Sequence, residues 1–142
     1  MTMSVLSILK NSQTIAVVGL SPNPERASYR ISKYMQAQGY RIVPIHPAAS
    51  EVLGEKAYPT LTAAAQAMAI DLVNVFRRSE DIPPIADEAV AIGAKALWLQ
   101  LGIENDAACA HAASHGLETV QDLCLKVEHA QLLRTGKLSA RH

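Results

Sequence analysis

Residues 14–28, TIAVVGLSPNPERAS, decide the fold: they run from an apolar strand through a Gly-Leu-Ser turn into the start of a helix. Ile15, Ala16, Val17 and Val18 carry no polar interruption. Such a run suits a strand buried on both faces, as the central strands of parallel sheets are, whereas a half-exposed strand alternates apolar with polar. The loop leaving a strand of this kind points at ligand. Gly19 permits a tight turn and close backbone approach, and Ser28 is expected to cap the helix that follows. Free N–H groups and a positive helix end therefore converge on this turn, which is an anion site in outline.

Outward from the turn, Ile31, Tyr34, Met35 and Gln38 share one face of a crossover helix that Gly39 ends. Arg41 to Ile45, RIVPI, then completes a βαβ unit, and His46-Pro47 stops it. Residues 48–60 contain Gly54 and Pro59 and read as a loop with one short extended piece around Lys56 to Tyr58. Thr60 caps an alanine-rich helix through Met68, and Asp71 to Phe76, DLVNVF, is a third buried strand. Asp81 is expected to cap a helix that tolerates Pro83 and Pro84 in its first turn, runs to Gly93, and packs Ile82, Ile85, Ala86, Ala89 and Val90 on the sheet. Ala96 to Gln100 is the fourth strand. Asn105 or Asp106 starts a helix ending at His115-Gly116, Glu118 to Val120 is the fifth strand, and Asp122 is expected to cap a last helix to about Arg134. This alternation implies an α/β fold: a doubly wound parallel five-stranded sheet with helices on both faces, right-handed crossovers and an expected order of 3-2-1-4-5. The expectation is one domain over residues 1–142, with its core in 4–134 and a frayed tail over 135–142.

Composition narrows the function classes. Lys+Arg and Asp+Glu both number 13 in 142 residues, for a formal net charge of zero, and no long basic run marks nucleic acid or an acidic membrane surface as a partner. Uncharged stretches fall short of the roughly 18 to 20 residues that span a bilayer. The N-terminal segment MTMSVLSILKNSQ lacks a basic n-region, and Val5, Leu6, Ile8 and Leu9 form one face of a short amphipathic helix, so a cytoplasmic address is expected. Cys109 and Cys124 have no CxxC spacing and are expected to be reduced.

In a doubly wound sheet the ligand crevice lies beyond the carboxyl ends of the strands. That rim comprises residues 19–28, His46-Pro47, Phe76-Arg77-Arg78 and Gln100-Leu101-Gly102. A nicotinamide dinucleotide fits it poorly: the second and third glycines of GxGxxG are missing, and His46-Pro47 stands where an acidic residue would hold the ribose. A phosphate ligand fits better, with Arg26, Arg30, Lys33, Arg77 and Arg78 available, although Arg30 and Lys33 serve equally as solvated surface cations. Arg77, directly after a buried strand, is the strongest of these candidates. His111 and His115 have i, i+4 spacing, but Ala112 replaces the glutamate of HExxH and no third ligand is evident, so no metal is expected. Glu104, Asp106 and Glu118 sit near helix ends, as dipole partners do. No Ser-His-Asp order is identifiable.

The runs AVVGLSPNPERASYRISKYMQAQGYRIVPIHP, VFRRSEDIPPIADEAVAIGAKALWLQLGI and DLCLKVEH together resemble the small single-domain CoA-binding proteins of bacteria. These are similar in turn to the Rossmann-like CoA-binding N-terminal domain of the succinyl-CoA synthetase α subunit. The resemblance covers roughly residues 4 to 133. It implies coenzyme A in the crevice, with the Gly19-Leu20-Ser21 turn and Ser28 on the pyrophosphate and Arg26 as charge partner. His46-Pro47 stands where the family usually has Asn-Pro, so a wall contact is implied without the amide hydrogen bond. Val75, Phe76 and Arg77 match the adenosine side, with Phe76 equally suited to the core, and Gln100 and Gly102 match the opposite turn. Cys124 is expected in the first turn of the last helix, near the CoA thiol, where it could form a mixed disulfide; the alternative is an inert buried thiol. Catalysis is not implied, because the synthetase relies on a phosphorylated histidine in a second domain and on a partner subunit. The expected function is a CoA or acyl-CoA binding module, acting with a protein partner or as a homodimer. The alternatives are an NAD(P)-binding oxidoreductase or a subunit of an acyl-CoA ligase.

Overall fold

The computed structural model describes residues 2–141. Strands β1 (Thr14–Val18), β2 (Arg41–Ile45), β5 (Leu72–Val75), β6 (Ala96–Leu99) and β7 (Glu118–Val120) form one parallel sheet, and β3 (Glu51–Val52) pairs antiparallel with β4 (Glu55–Lys56). Helices α1 (Thr2–Asn11), α2 (Ala27–Ala37), α3 (Leu61–Ala65), α4 (Ile82–Ala91), α5 (Asp106–Ser114) and α6 (Leu125–Arg134) surround it. The α/β doubly wound architecture is as the strand and helix periods imply.

The strand order is different from the one expected. The sheet runs β2-β1-β5-β6-β7, so the third main strand lies beside the first and the order among the five is 2-1-3-4-5. Side-chain chemistry at Asp71 fastens this pairing. Its carboxylate accepts hydrogen bonds from the Gln13 and Thr14 amides at 2.9 and 3.0 Å, and its own amide donates to the Thr14 carbonyl, which docks the start of β5 on the start of β1. Burial raises the Asp71 pKa, but the two amide hydrogen bonds and Lys95, 3.4 Å away, outweigh it and hold the carboxyl below its ordinary value. A depressed pKa contributes stability above the ordinary carboxylate value of about 4, and that contribution is lost as pH falls through the lower folded value. Asp71→Asn is therefore expected to lose on the order of 1 kcal/mol at neutral pH. In urea unfolding followed against pH, the gap to the parent protein should close in acid; a gap constant with pH would rule out this role for the charge.

Because each strand alternates its side chains, the sheet has two apolar faces. Val43, Ile45, Val73, Val75, Leu97 and Leu99 pack against α3, α4 and α5, where Ala86, Ala89, Ala108 and Ala112 let the helices lie close. Ile15, Val17, Ile42, Leu72 and Trp98 pack against Val5, Ile8 and Leu9 of α1, Met35 of α2, and Leu125 and Leu132 of α6. This division of helices between the faces follows from right-handed crossovers in the observed strand order.

Other local expectations are corrected. Residues 51–55, expected as loop, instead turn through Leu53 and Gly54, both at positive φ, in a two-residue hairpin that ends at Lys56, where the expected extended piece begins. Thr60 and Asn105 do cap α3 and α5. Ser28 and Asp122 do not cap their helices: the N-cap positions of α2 and α6 belong to Arg26 and Cys124. Asp81 is at the N-cap of α4 without bonding an amide there, since its carboxylate is 3.2 Å from the Arg78 guanidinium. The C-terminal segment expected to fray is docked: Leu138 is buried, and Arg141 lies over the Tyr40 ring at 4.0 Å while donating to the Leu9 carbonyl.

Candidate functional site

The crevice forms where β1 and β5 end side by side. The Gly19 amide donates to the Ile45 carbonyl of β2 at 3.2 Å, and the Phe76 amide to the Val18 carbonyl of β1 at 2.9 Å, so three strands converge on the turn. Gly19 has φ +88°, and a Cβ added there would stand 2.5 Å from the Phe76 carbonyl oxygen. Only glycine lets the two backbones approach this closely. The Ser21 amide donates to Ser28 Oγ at 3.0 Å, and Ser21 Oγ accepts from the Asn23 amide. Ser28 thus folds the loop back on itself from inside the first turn, and α2 opens without a side-chain cap. Its positive end faces a hollow of about 320 Å³ lined by Gly19, Ser21, Arg26, Ala27, Ser28 and Phe76.

Ala27 and Phe76 also line a second, larger cavity of about 840 Å³, so the two adjoin. Its walls are largely apolar, from Ile31, Leu101 and Ile103, with Arg77, Arg78, Asp81, Gln100 and Cys124 as polar members. Arg77 is half exposed, its guanidinium 3.8 Å from Asp81. Gln100 is 95% buried by its 5% exposure, and its Oε1 accepts from the Leu125 amide at 3.3 Å and from Asn74 Nδ2 at 3.4 Å. Gly102 donates its amide to Asp122 Oδ1 at 2.7 Å, and Asp122 holds a left-handed φ of +60° to reach it. Asp122 in turn pushes the neighbouring Glu104 carboxyl above its ordinary pKa, through a side-chain hydrogen bond and like charge. The acidic pair marks the rim away from the glycine turn, and the uncapped helix and Arg26 mark the other end.

Of the candidate residues, the structure brings together Gly19, Ser21, Arg26, Ser28, Phe76, Arg77, Gln100 and Cys124. Leu20 and Val75 are fully buried, one on each side of the sheet, and their side chains belong to the core. His46 turns inward on its own loop, its Nδ1 accepting from the Ala48 and Ala49 amides at 3.0 and 2.9 Å, and neither it nor Pro47 lines either hollow. Gly102 serves the rim through its amide rather than facing the cavity. Of the apolar wall, Ala27 and Leu101 fall within the expected rim without being singled out as contacts, and Ile31 and Ile103 fall outside it; an aliphatic face at a helix start or rim turn is indistinguishable in sequence from core. Asn74 was also missed, although a lone amide in the buried run DLVNVF is the signal for it.

Cys124, at the N-cap of α6, is a free, partly exposed thiol. Cys109 is buried, and burial together with nearby Asp106 pushes its thiol up. His111 is 3.0 Å from Asp87, and among the described residues no three His, Cys, Asp or Glu side chains cluster to hold a metal. Among the described residues, no helix is long and apolar enough to cross a membrane.

Residues 13–130 match the CoA binding domain family. The chain is 44% identical over 126 residues to the uncharacterized protein YneT of Bacillus subtilis (strain 168), covering 89% of this chain and 92% of that one. A solved structure of a hypothetical protein from Pyrococcus horikoshii OT3 superposes with a TM-score of 0.88 at 33% identity, over 94% of this chain and 92% of the other. The same fold occurs within the dinucleotide forming acetyl-coenzyme A synthetase 1 of Ca. Korarchaeum cryptofilum, at a TM-score of 0.71 and 23% identity over 82% of this chain and 28% of the synthetase. With a matching profile over most of its length and a glycine turn opening on a half-apolar crevice, the chain belongs to the CoA binding domain family.

Proposed function

We propose that the crevice binds coenzyme A or an acyl-CoA, and that the chain is a single binding domain without independent catalysis. The observation that carries this reading is the meeting of two unlike hollows: an anion turn at an uncapped helix start, and an apolar cavity of about 840 Å³ that shares Ala27 and Phe76 with it as wall. CoA has the matching polarity, with phosphates at one end and a thiol-bearing arm at the other. The pyrophosphate is assigned to the Gly19-to-Ser28 turn with Arg26, Arg77 serves as a second charge partner, and the pantetheine arm runs past Gln100 toward Cys124. Absence of catalysis is part of the proposal because Cys124 makes no hydrogen bond to a base among the described residues. Action with a protein partner or as a homodimer, in the cytoplasm, completes the reading.

Calorimetric titration with CoA, NAD and NADP tests it: binding of CoA alone, or CoA far ahead of both dinucleotides, is expected, and binding of NADP alone would overturn it. Arg77→Ala is expected to weaken CoA binding about tenfold or more, the worth of a charge-assisted hydrogen bond, and to reduce its salt dependence. An unchanged affinity would remove Arg77 from the site.

A further inference from the structure

Cys124 is the nucleophilic side chain in the wall of the larger cavity, and its sulfur makes no cap hydrogen bond to the helix it begins. Beside it on the wall is Gln100, more than nine-tenths buried. The Gln100 carbonyl oxygen is engaged by Asn74 and by the Leu125 amide, which leaves Nε2 with no protein acceptor among the described residues. An amide donor left free on a nine-tenths-buried side chain in a cavity wall calls for an acceptor on a ligand. A thiol and such a donor in one apolar chamber fit an arm that carries amide carbonyls and ends in sulfur.

We infer that Cys124 exchanges with disulfides of coenzyme A, so that the site takes the oxidised cofactor covalently as well as the thiol reversibly. The inference rests on the CoA reading. In the step, the Cys124 thiolate attacks one sulfur of coenzyme A disulfide along the S–S axis. The S–S bond breaks, a bond forms between Sγ and the CoA sulfur, and the other CoA leaves as thiolate, taking up the proton that Cys124 released. Cys124 is oxidised, the departing CoA is reduced, and the disulfide is the only oxidant needed. The departing half has a way out past Leu101, which is 64% exposed at the mouth. Cys109, buried on the other side of the sheet and hydrogen-bonded to Gln121, takes no part.

Intact-mass analysis after incubation with coenzyme A disulfide tests the step. One CoA adduct is expected, reversed by dithiothreitol, lost in Cys124→Ser and kept in Cys109→Ser. Holding the disulfide beside the thiol should make the reaction about a hundredfold faster than with glutathione disulfide, and saturating CoA that lacks its sulfur should suppress that advantage. Equal rates with both disulfides, with no protection, would mean a merely exposed thiol and overturn the inference, as would an adduct on Cys109 or none. Calorimetry with the sulfur-free analogue keeps the two readings apart: if it binds and no adduct forms, only the exchange fails; if it does not bind, the CoA reading fails as well.

Discussion

Gly19→Ala is expected to destabilise the protein by about 3 kcal/mol and to abolish CoA binding in calorimetry. Two costs add. A left-handed φ of +88° is strained for any residue with a Cβ, at about 1 to 2 kcal/mol. The added methyl would also meet the Phe76 carbonyl oxygen at 2.5 Å, and that oxygen belongs to backbone held in place by the Phe76–Val18 hydrogen bond. The clash can be relieved only by parting β1 from β5, which opens the floor of the anion turn. Gly54→Ala is the matched control: its φ is +74°, but nothing lies within 4 Å of the new methyl. It should cost only the conformational strain, about 1 kcal/mol, and leave CoA affinity unchanged. Urea unfolding of both variants checks the argument, and equal losses would show that close approach to Phe76 is not what requires glycine at position 19.

The second large effect is expected at Trp98, which is fully buried and donates its indole N–H to the Leu123 carbonyl at 2.8 Å. Trp98→Ala removes the largest side chain on its face of the sheet and should cost about 3 to 5 kcal/mol. Trp98→Phe keeps most of the packing but strands the Leu123 carbonyl, for about 1 to 2 kcal/mol. Trp98 and Gln100 lie two residues apart on one face, and they hold Leu123 and Leu125 on either side of Cys124. Trp98→Phe should therefore also slow the exchange of Cys124 with coenzyme A disulfide, while a variant of equal instability elsewhere leaves it unchanged. Denaturant melts and the intact-mass rate measure the two effects separately; a fully stable Trp98→Phe would show that the indole hydrogen bond contributes nothing.

The elements of this fold are legible in sequence because each has a local signal: uninterrupted apolar runs for β1 and β6, an apolar run broken once by Asn74 for β5, threefold and fourfold spacing for α4, and Thr60 and Asn105 as caps. Their neighbours in the sheet are not. Whether β5 adds beside β2 or beside β1 is decided by contacts between distant segments, such as that of Asp71 with the Gln13 and Thr14 amides nearly 60 residues away, which no local pattern carries. The site divides in the same way. Gly19, Ser28, Phe76 and Arg77 follow from their places after strands. The inward turn of His46, the burial of Leu20 and Val75, and the reach of Asp122 to Gly102 follow from φ angles and partners set by the tertiary structure. Ser28 is instructive: serine favours the cap position, yet its hydroxyl serves the Ser21 amide from within the helix.

The observed strand order ties occupancy to folding. Residues 19–28 and 76–77 face one another only because β5 pairs with β1, and Gln100 and Cys124 join them only when β6 and α6 are in place. No partial stretch of the chain holds the crevice, so a ligand that bridges these segments binds the native sheet and not the unfolded chain. Its concentration then enters the folding equilibrium directly, adding about 2.7 kcal/mol of apparent stability at a hundred times its Kd. A cell rich in such a ligand would hold more of this protein folded, and out of reach of proteases, than a cell depleted of it.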